Sequence, residues 1–137
     1  MLFRSANLLT HSRRKWRAKG FRPPEGHIAA AETIMRGGGR VRRKDLFGFA
    51  DLVLVKPGEV VFLQVTSWSN VSARVNKIAR EIEGSGQWAV PMAAIAKSLM
   101  SVAGVRIVVE GWKQDGNLRW IDREVEITPK LLDEKKI

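Results

Sequence analysis

Between Lys44 and Thr66 the chain reads K-D-L-F-G-F-A-D-L-V-L-V-K-P-G-E-V-V-F-L-Q-V-T, and no other stretch limits the possible folds so tightly. Two apolar runs, Val53 to Val55 and Val60 to Leu63, flank the turn dipeptide Pro57-Gly58. Unbroken apolar runs of this length suit strands buried on both faces. Two polar residues sit awkwardly inside them, Asp51 and Gln64. With a turn at Lys56-Pro57-Gly58-Glu59, Val55 faces Val60, and the same register sets Asp51 opposite Gln64. Directly opposed residues on one sheet face have Cβ atoms about 4.5–5.5 Å apart. A carboxylate and an amide oxygen then converge on one point, the kind of donor set a hard cation takes.

The charge of the chain is as lopsided as this hairpin is ordered. Residues 1–44 carry 12 Lys and Arg against only Glu25 and Glu32, while the rest of the chain carries 12 of each sign. The whole net charge of +10 therefore resides in the first third. A one-sided cationic field fits a polyanion, and nucleic acid is the commonest. A solvated basic terminus and a mitochondrial presequence are the competing explanations, the latter because no acid precedes Glu25. The basic residues continue to Lys44, directly before the hairpin, which favours nucleic acid. A length of 137 residues suits one domain. The absence of cysteine excludes disulfides, thiolate metal sites and cysteine nucleophiles. No apolar run approaches the roughly 18 residues of a membrane helix, and Met1 to Thr10 is too short and polar for a secretory signal.

Residues 3–19 read as a basic helix with Leu8, Leu9 and Trp16 as its apolar stripe and Gly20 as its C-terminal cap. Arg13, Arg14, Lys15, Arg17 and Lys19 crowd its last turns, where cations suit the helix dipole. Their density exceeds what a helix end needs and points to phosphate contact. Pro23-Pro24-Glu25-Gly26 breaks the chain. Residues 27–35 are ambiguous: Ala29-Ala30-Ala31-Glu32 favours helix by propensity, while shortness before Gly37-Gly38-Gly39 allows a strand. Glu32 alone there reads as a solvated surface acid. Arg36, Arg40, Arg42, Arg43 and Lys44 surround the glycines, as in a loop following a phosphate backbone. A mobile surface hairpin explains the same residues. No G-x-x-x-x-G-K-[ST] phosphate loop is present, which leaves nucleotide hydrolysis unsupported.

Beyond the hairpin, Ser69 or Asn70 can cap a helix running to about Glu83 and ended by Gly84. Its apolar stripe is Val71, Val75, Ile78 and Ile82. Arg74 and Lys77, three apart, share a face near its start and can reach whatever Asp51 and Gln64 bind. Residues 91–103 suggest another helix. Val105 to Glu110 and Leu118 to Ile127 read as strands around an Asp115-Gly116-Asn117 turn. Trp112 and Trp120 read as covers over the sheet edge rather than base-stacking residues. The tail from Lys130 is expected to fray.

The order of helix, strand pair with Asp, second strand ending in a polar residue, helix and strand resembles the PD-(D/E)XK nuclease core. F-A-D-L-V supplies Asp51, and L-Q-V-T supplies Gln64 and Thr66. More narrowly, D-L-F-G-F-A-D-L, Q-V-T-S, S-A-R-V-N-K-I and the later V-V-E-G-W-K and L-R-W resemble the Holliday-junction-resolvase-like proteins of phages and prokaryotes. The resemblance spans roughly residues 20–128. It implies an α/β (α+β) restriction-endonuclease-like core, a mixed central sheet flanked by helices, in a single domain. It also implies a metal-dependent DNA endonuclease, structure-selective, using Mg²⁺ or Mn²⁺, acting on branched DNA as a homodimer in the cytoplasm of a prokaryotic cell or phage-infected host, with no membrane role.

Carried over residue by residue, the metal roles fall on Asp51 and Gln64, with Glu32 as the upstream acid and Asp45 as another candidate. Ala50 stands where the motif has proline. Gln64 replaces a glutamate, removing one negative charge from the site. Thr66 replaces the lysine that would polarise the phosphate. Some relatives move that cation to the following helix, which nominates Lys77 and, behind it, Arg74. The basic first third would hold the DNA backbone without reading bases. The rival reading is a nuclease fold that has lost catalysis and only holds DNA.

Overall fold

The hairpin forms in the register its sequence dictates. In this computed structural model the chain is described over residues 4–37, 40–80 and 91–135, with the side chains of 4–7, 32–37 and 40–44 outside that description. The elements in order are α1 (Arg4–Ala18), β1 (His27–Ala30), β2 (Glu32–Gly37), β3 (Arg40–Asp45), β4 (Leu52–Lys56), β5 (Glu59–Ser67), a 3₁₀ turn (Trp68–Asn70), α2 (Val71–Ile78), α3 (Met92–Met100), β6 (Val105–Gln114), β7 (Trp120–Ile127) and α4 (Pro129–Lys135). Val55 pairs with Val60 and Leu52 with Leu63. Gly58 takes the left-handed φ of 78° that the tight turn demands. One step beyond the ladder, the Asp51 N–H donates to the Leu63 carbonyl at 2.8 Å.

A five-stranded mixed sheet results, ordered β1-β4-β5-β6-β7, with helices on both faces. β5 and β6 run parallel; every other neighbouring pair is antiparallel. A parallel pair needs a crossover connection, and the chain between β5 and β6 carries α2 and α3. Leu52, Leu54, Val61, Leu63 and Val108 pack under Trp16 of α1, together with Phe21 and Ile28. On the other face Ile107, Val109 and Ile127 meet Val71, Val75 and Ile78 of α2, Met92 and Ala96 of α3, and Leu132 of α4. Burial on both faces explains why the two hairpin strands read as unbroken apolar runs. Among the described residues no helix is long and apolar enough to cross a membrane.

α1 ends as its sequence predicts. Gly20 adopts φ 103°, the Phe21 N–H reaches back to the Trp16 carbonyl (3.2 Å), and the Gly20 N–H to that of Arg17 (3.0 Å). The Trp16 and Phe21 rings meet edge to face across this cap, 5.6 Å between centroids.

Several expectations change. Residues 27–35 are strand, not helix: Ala29 and Ala30 pair with Val53 and Leu52, and sheet pairing outweighs the alanine preference. Of the glycine-rich segment, Arg36 and Gly37 close β2 and Arg40 to Lys44 belong to β3, antiparallel strands that agree with the surface-hairpin reading rather than the loop. Its glycines 38 and 39 lie outside the described residues, as do Ile82, Glu83 and Gly84; α2 ends at Ile78 with Ala79 as its cap, short of the expected Glu83. Neither Ser69 nor Asn70 caps α2 with its side chain. The tail is helical: the Thr128 hydroxyl accepts the Leu131 N–H at 3.1 Å, Pro129 opens α4, and Leu132 is buried. Trp112 lies on interior strand β6 beneath α1, not over an edge, and its indole N–H donates to Ser12 at 2.8 Å.

The largest electrostatic feature of the fold is a hub under α1. Glu110 is fully buried and accepts hydrogen bonds from Ser12 (2.6 Å), Lys15 (2.6 Å) and the Trp16 indole (3.1 Å). The Lys15 ammonium also bonds Asp122 and Glu124. Burial would lower the Lys15 pKa, but its bonds to Asp122, Glu110 and Glu124 hold it above the usual lysine value. Lys15 is thus committed to carboxylates, a correction to its grouping with the phosphate-contacting cations. Lys15→Met is expected to destabilise the protein by about 3–5 kcal/mol, since the buried Glu110 carboxylate loses the cation bonded to it. Urea denaturation reads the loss; a change under about 1 kcal/mol would show that the hub holds little of α1.

Candidate metal and phosphate cleft

At the sheet end where β5 finishes and β4 begins, a cleft of about 280 Å³ is lined by Leu9, Asp45, Asp51, Gln64, Val65 and Arg74. Each wall follows from the fold. Asp51 precedes β4 and Gln64 lies near the end of β5, so the hairpin register brings them together. Asp45 closes β3, and the Leu46–Ala50 bridge folds the intervening D-L-F-G-F-A turn back toward Asp51. Leu9 comes from α1.

Arg74 depends on how closely α2 approaches the sheet. Gly111 of β6 lets it come near: a Cβ there would meet Val71 Cγ2 at 2.2 Å and the Trp68 Cα at 3.0 Å. A side chain at 111 would lift the start of α2 and carry Arg74 with it.

The polar groups of the cleft are incompletely satisfied. Asp51 Oδ2 accepts the Val65 N–H at 2.8 Å. Burial, then the neighbouring negative charge of Asp45, pushes the Asp51 carboxyl up to about 7, and Asp45 shares a hydrogen bond with it. Arg74 pulls the other way but more weakly. Gln64 is only 1% exposed, and its Oε1 has no hydrogen-bond partner. A buried amide oxygen left unpaired costs about 1–3 kcal/mol. Two adjacent carboxylates and an orphaned carbonyl oxygen form an oxygen-rich donor set that suits Mg²⁺ or Mn²⁺.

The chain matches no protein-family model, no curated protein and no solved structure. What the cleft does must be read from its own residues.

Of the residues nominated from sequence, Asp51, Gln64, Asp45 and Arg74 meet here. Lys77 does not line this cleft. It borders an adjoining one with Asn70, Ala73, Arg74 and Arg80. The correction is geometric: Lys77 lies one turn further along α2, about 4.5 Å from Arg74 along the axis. Thr66 is buried near the end of β5 and lines neither cleft. The Glu32 backbone pairs across the ladder from Asp45, but its side chain lies outside the described residues, as do those of Arg36, Arg40, Arg42, Arg43 and Lys44. Arg14 and Arg17 are exposed on α1, and Arg13 is half-buried.

Sequence reading missed the acidic hub, where Glu110, Asp122 and Glu124 bring carboxylate oxygens within 4.8 Å of one another. The alternation of Asp122 and Glu124 along β7 was the available signal. Lys15 already fills that cluster, which sets it apart from the Asp51 cleft.

The raised Asp51 value has a consequence for stability. The folded protein holds this proton to about pH 7, whereas the unfolded chain releases it near pH 4. The native state therefore binds more protons between these values, and the Asp51 contribution to stability falls as pH rises from about 4 to about 7. In metal-free buffer, Asp51→Asn should gain on the wild type across that window and run parallel to it below pH 4. Parallel urea midpoints throughout would mean that Asp51 ionises normally.

Proposed function

We propose that the chain is a metal-dependent endodeoxyribonuclease of the PD-(D/E)XK kind, acting on branched DNA. The observation that carries this reading is the unpartnered, buried Oε1 of Gln64 in a cleft shared with Asp51 and Asp45. A purely structural amide would have been given a hydrogen bond. The mixed sheet flanked by helices, with the acid just before β4 and the amide on the adjacent antiparallel β5, agrees with the restriction-endonuclease-like core.

Asp51, Gln64 and Asp45 would hold the ion, with Glu32 as a further candidate carried by the hairpin ladder opposite Asp45. Bound there, Mg²⁺ or Mn²⁺ would supply a Lewis acid for the phosphate and lower the pKa of a water. The chain supplies the rest. The Val65 N–H fixes one oxygen of Asp51 and orients the carboxylate. Arg74 borders the cleft and takes the role of the lysine that Thr66 replaces, countering charge on the phosphate. Lys77 and Arg80 line the next cleft along α2, and with Arg74 between them the two clefts form a track for successive backbone phosphates. Cutting a branched substrate symmetrically takes two copies of the chain, which makes a twofold dimer part of the proposal.

Cleavage of branched and linear DNA with Mg²⁺ or Mn²⁺ tests the reading. Asp51→Ala should abolish cutting and spare DNA binding. Gln64→Glu, which restores a negative charge, should lower the metal concentration needed for half-maximal rate. Arg74→Ala should cut kcat by about 10²- to 10³-fold, whereas Lys77→Ala should chiefly raise KM. DNA binding with no metal-dependent cutting in the wild type would sink the enzyme and leave a module that only holds DNA.

A further inference from the structure

At the same end of the sheet, beyond the cleft, three aromatic rings form a tier that the proposed chemistry does not use. The His11 ring lies between Trp112 and Trp120, with centroids 5.4 Å and 4.5 Å away. Trp112 is the buried base, anchored through its indole N–H to Ser12 and Glu110. Trp120 opens edge strand β7, and despite its contact with His11 it remains 39% exposed. Next to it Leu118 is 75% exposed and Ile121 37%.

The ladder locates this tier. Gln64 pairs with Val109 and Trp120 with Gln114, five residues further along β6. Strand geometry then puts the Trp120 backbone about 15 Å beyond Gln64 along the strands and about 10 Å to the side, with its ring on the α1 face of the sheet and the Gln64 side chain on the α2 face.

The surrounding charge is one-sided. Arg14 is close enough to His11 to act on its charge, Arg119 precedes Trp120, and both are exposed. The nearby acids are engaged. Asp115 accepts the N–H groups of Asn117 and Arg119, and Asp122 is held by Lys15. Burial and Arg14 together hold the His11 pKa below its usual value, so the ring stacks as a neutral imidazole at pH 7. A firmly backed, partly open indole beside the exposed Arg14 and Arg119 is complementary to a flat apolar ring on an anionic backbone. An apolar protein segment would gain nothing from those arginines.

We infer that Trp120, backed by His11 and Trp112, is a stacking platform for an unpaired base of single-stranded DNA. This rests on the nuclease reading and specifies its substrate: DNA with an unpaired stretch about 15–20 Å from the scissile phosphate, as at a fork or flap. Trp120 is therefore more than a cover for the sheet edge.

The experiment measures binding of the full-length protein in EDTA by fluorescence anisotropy, using labelled oligothymidylate, an abasic strand of equal length and a blunt duplex. Wild type should prefer oligothymidylate to the abasic strand, and Trp120→Ala should weaken oligothymidylate by about 5- to 150-fold, the equivalent of one base stack. Binding to the abasic strand and the duplex should stay unchanged, and Trp120→Phe should recover most of the loss. Equal wild-type affinity for base-bearing and abasic strands overturns the inference without any variant. So does Trp120→Ala weakening all three ligands alike, or none, or shifting only the oligomeric state. With no metal present, cutting plays no part. A protein that never cleaves but prefers base-bearing strands through Trp120 keeps the platform and loses the nuclease; one that cleaves regardless of Trp120 loses only the platform.

Discussion

A carboxylate taken out of water must acquire a cation, a proton or a full set of hydrogen bonds, and this constraint organises the molecule. The chain meets it in two ways. Under α1, Glu110 receives Ser12, Trp16, Trp112 and the ammonium of Lys15, so its charge is answered from within. At the end of the hairpin, Asp51 has one backbone N–H, a second carboxylate beside it and an arginine whose influence is weaker than that of Asp45. The first arrangement closes a fold. In the second the demand is met in part by a proton that Asp51 keeps to about pH 7, and the unsatisfied Gln64 oxygen stands in the same place.

How far the sequence revealed this depends on the range of each interaction. The hairpin was legible because a turn dipeptide fixes a register without help from elsewhere. The ladder holds from Lys56–Glu59 to Leu52–Leu63, and beyond it the Asp51 N–H bonds Leu63 rather than Gln64, though both side chains line the cleft. The C-terminal cap of α1 was equally local. Residues 27–30 were harder, because their strand character comes from partners about 25 residues away and contradicts the preference of their alanines. Lys15 could not be told from its basic neighbours by counting charge; only docking of α1 on β6 and β7 separates it from Arg14 and Arg17. The choice between Arg74 and Lys77 turned on the close approach of α2, which one glycine on a strand nearly forty residues downstream permits. Thr128-Pro129 was a readable helix start, hidden by the charge of the tail that follows.

The sheet gathers these parts at one end. β5 and β6 run parallel, so their final residues emerge side by side, and the antiparallel β4 begins where β5 stops. The acid-lined cleft, the start of α2 and the β6–β7 turn with Arg119 and Trp120 therefore lie toward the same end of the sheet, α2 on one face and Trp120 on the other. The β2–β3 hairpin, richest in arginine by sequence, leaves the sheet there too, joined through Ala31, whose N–H bonds the Asp51 carbonyl.

α1 carries Leu9 in the wall of the cleft and Lys15 in the acidic hub. Six residues of helix separate them, about 9 Å of rigid rod. At its far end the Lys19 carbonyl accepts the Lys56 ammonium beside the hairpin turn. The helix behaves as a splint laid across the strands, clamped through its last turns, with Leu9 near its middle bordering the cleft. Loosening the clamp would splay the cleft even though no residue in it had changed, so the width of the opening is inherited from an ion cluster outside it.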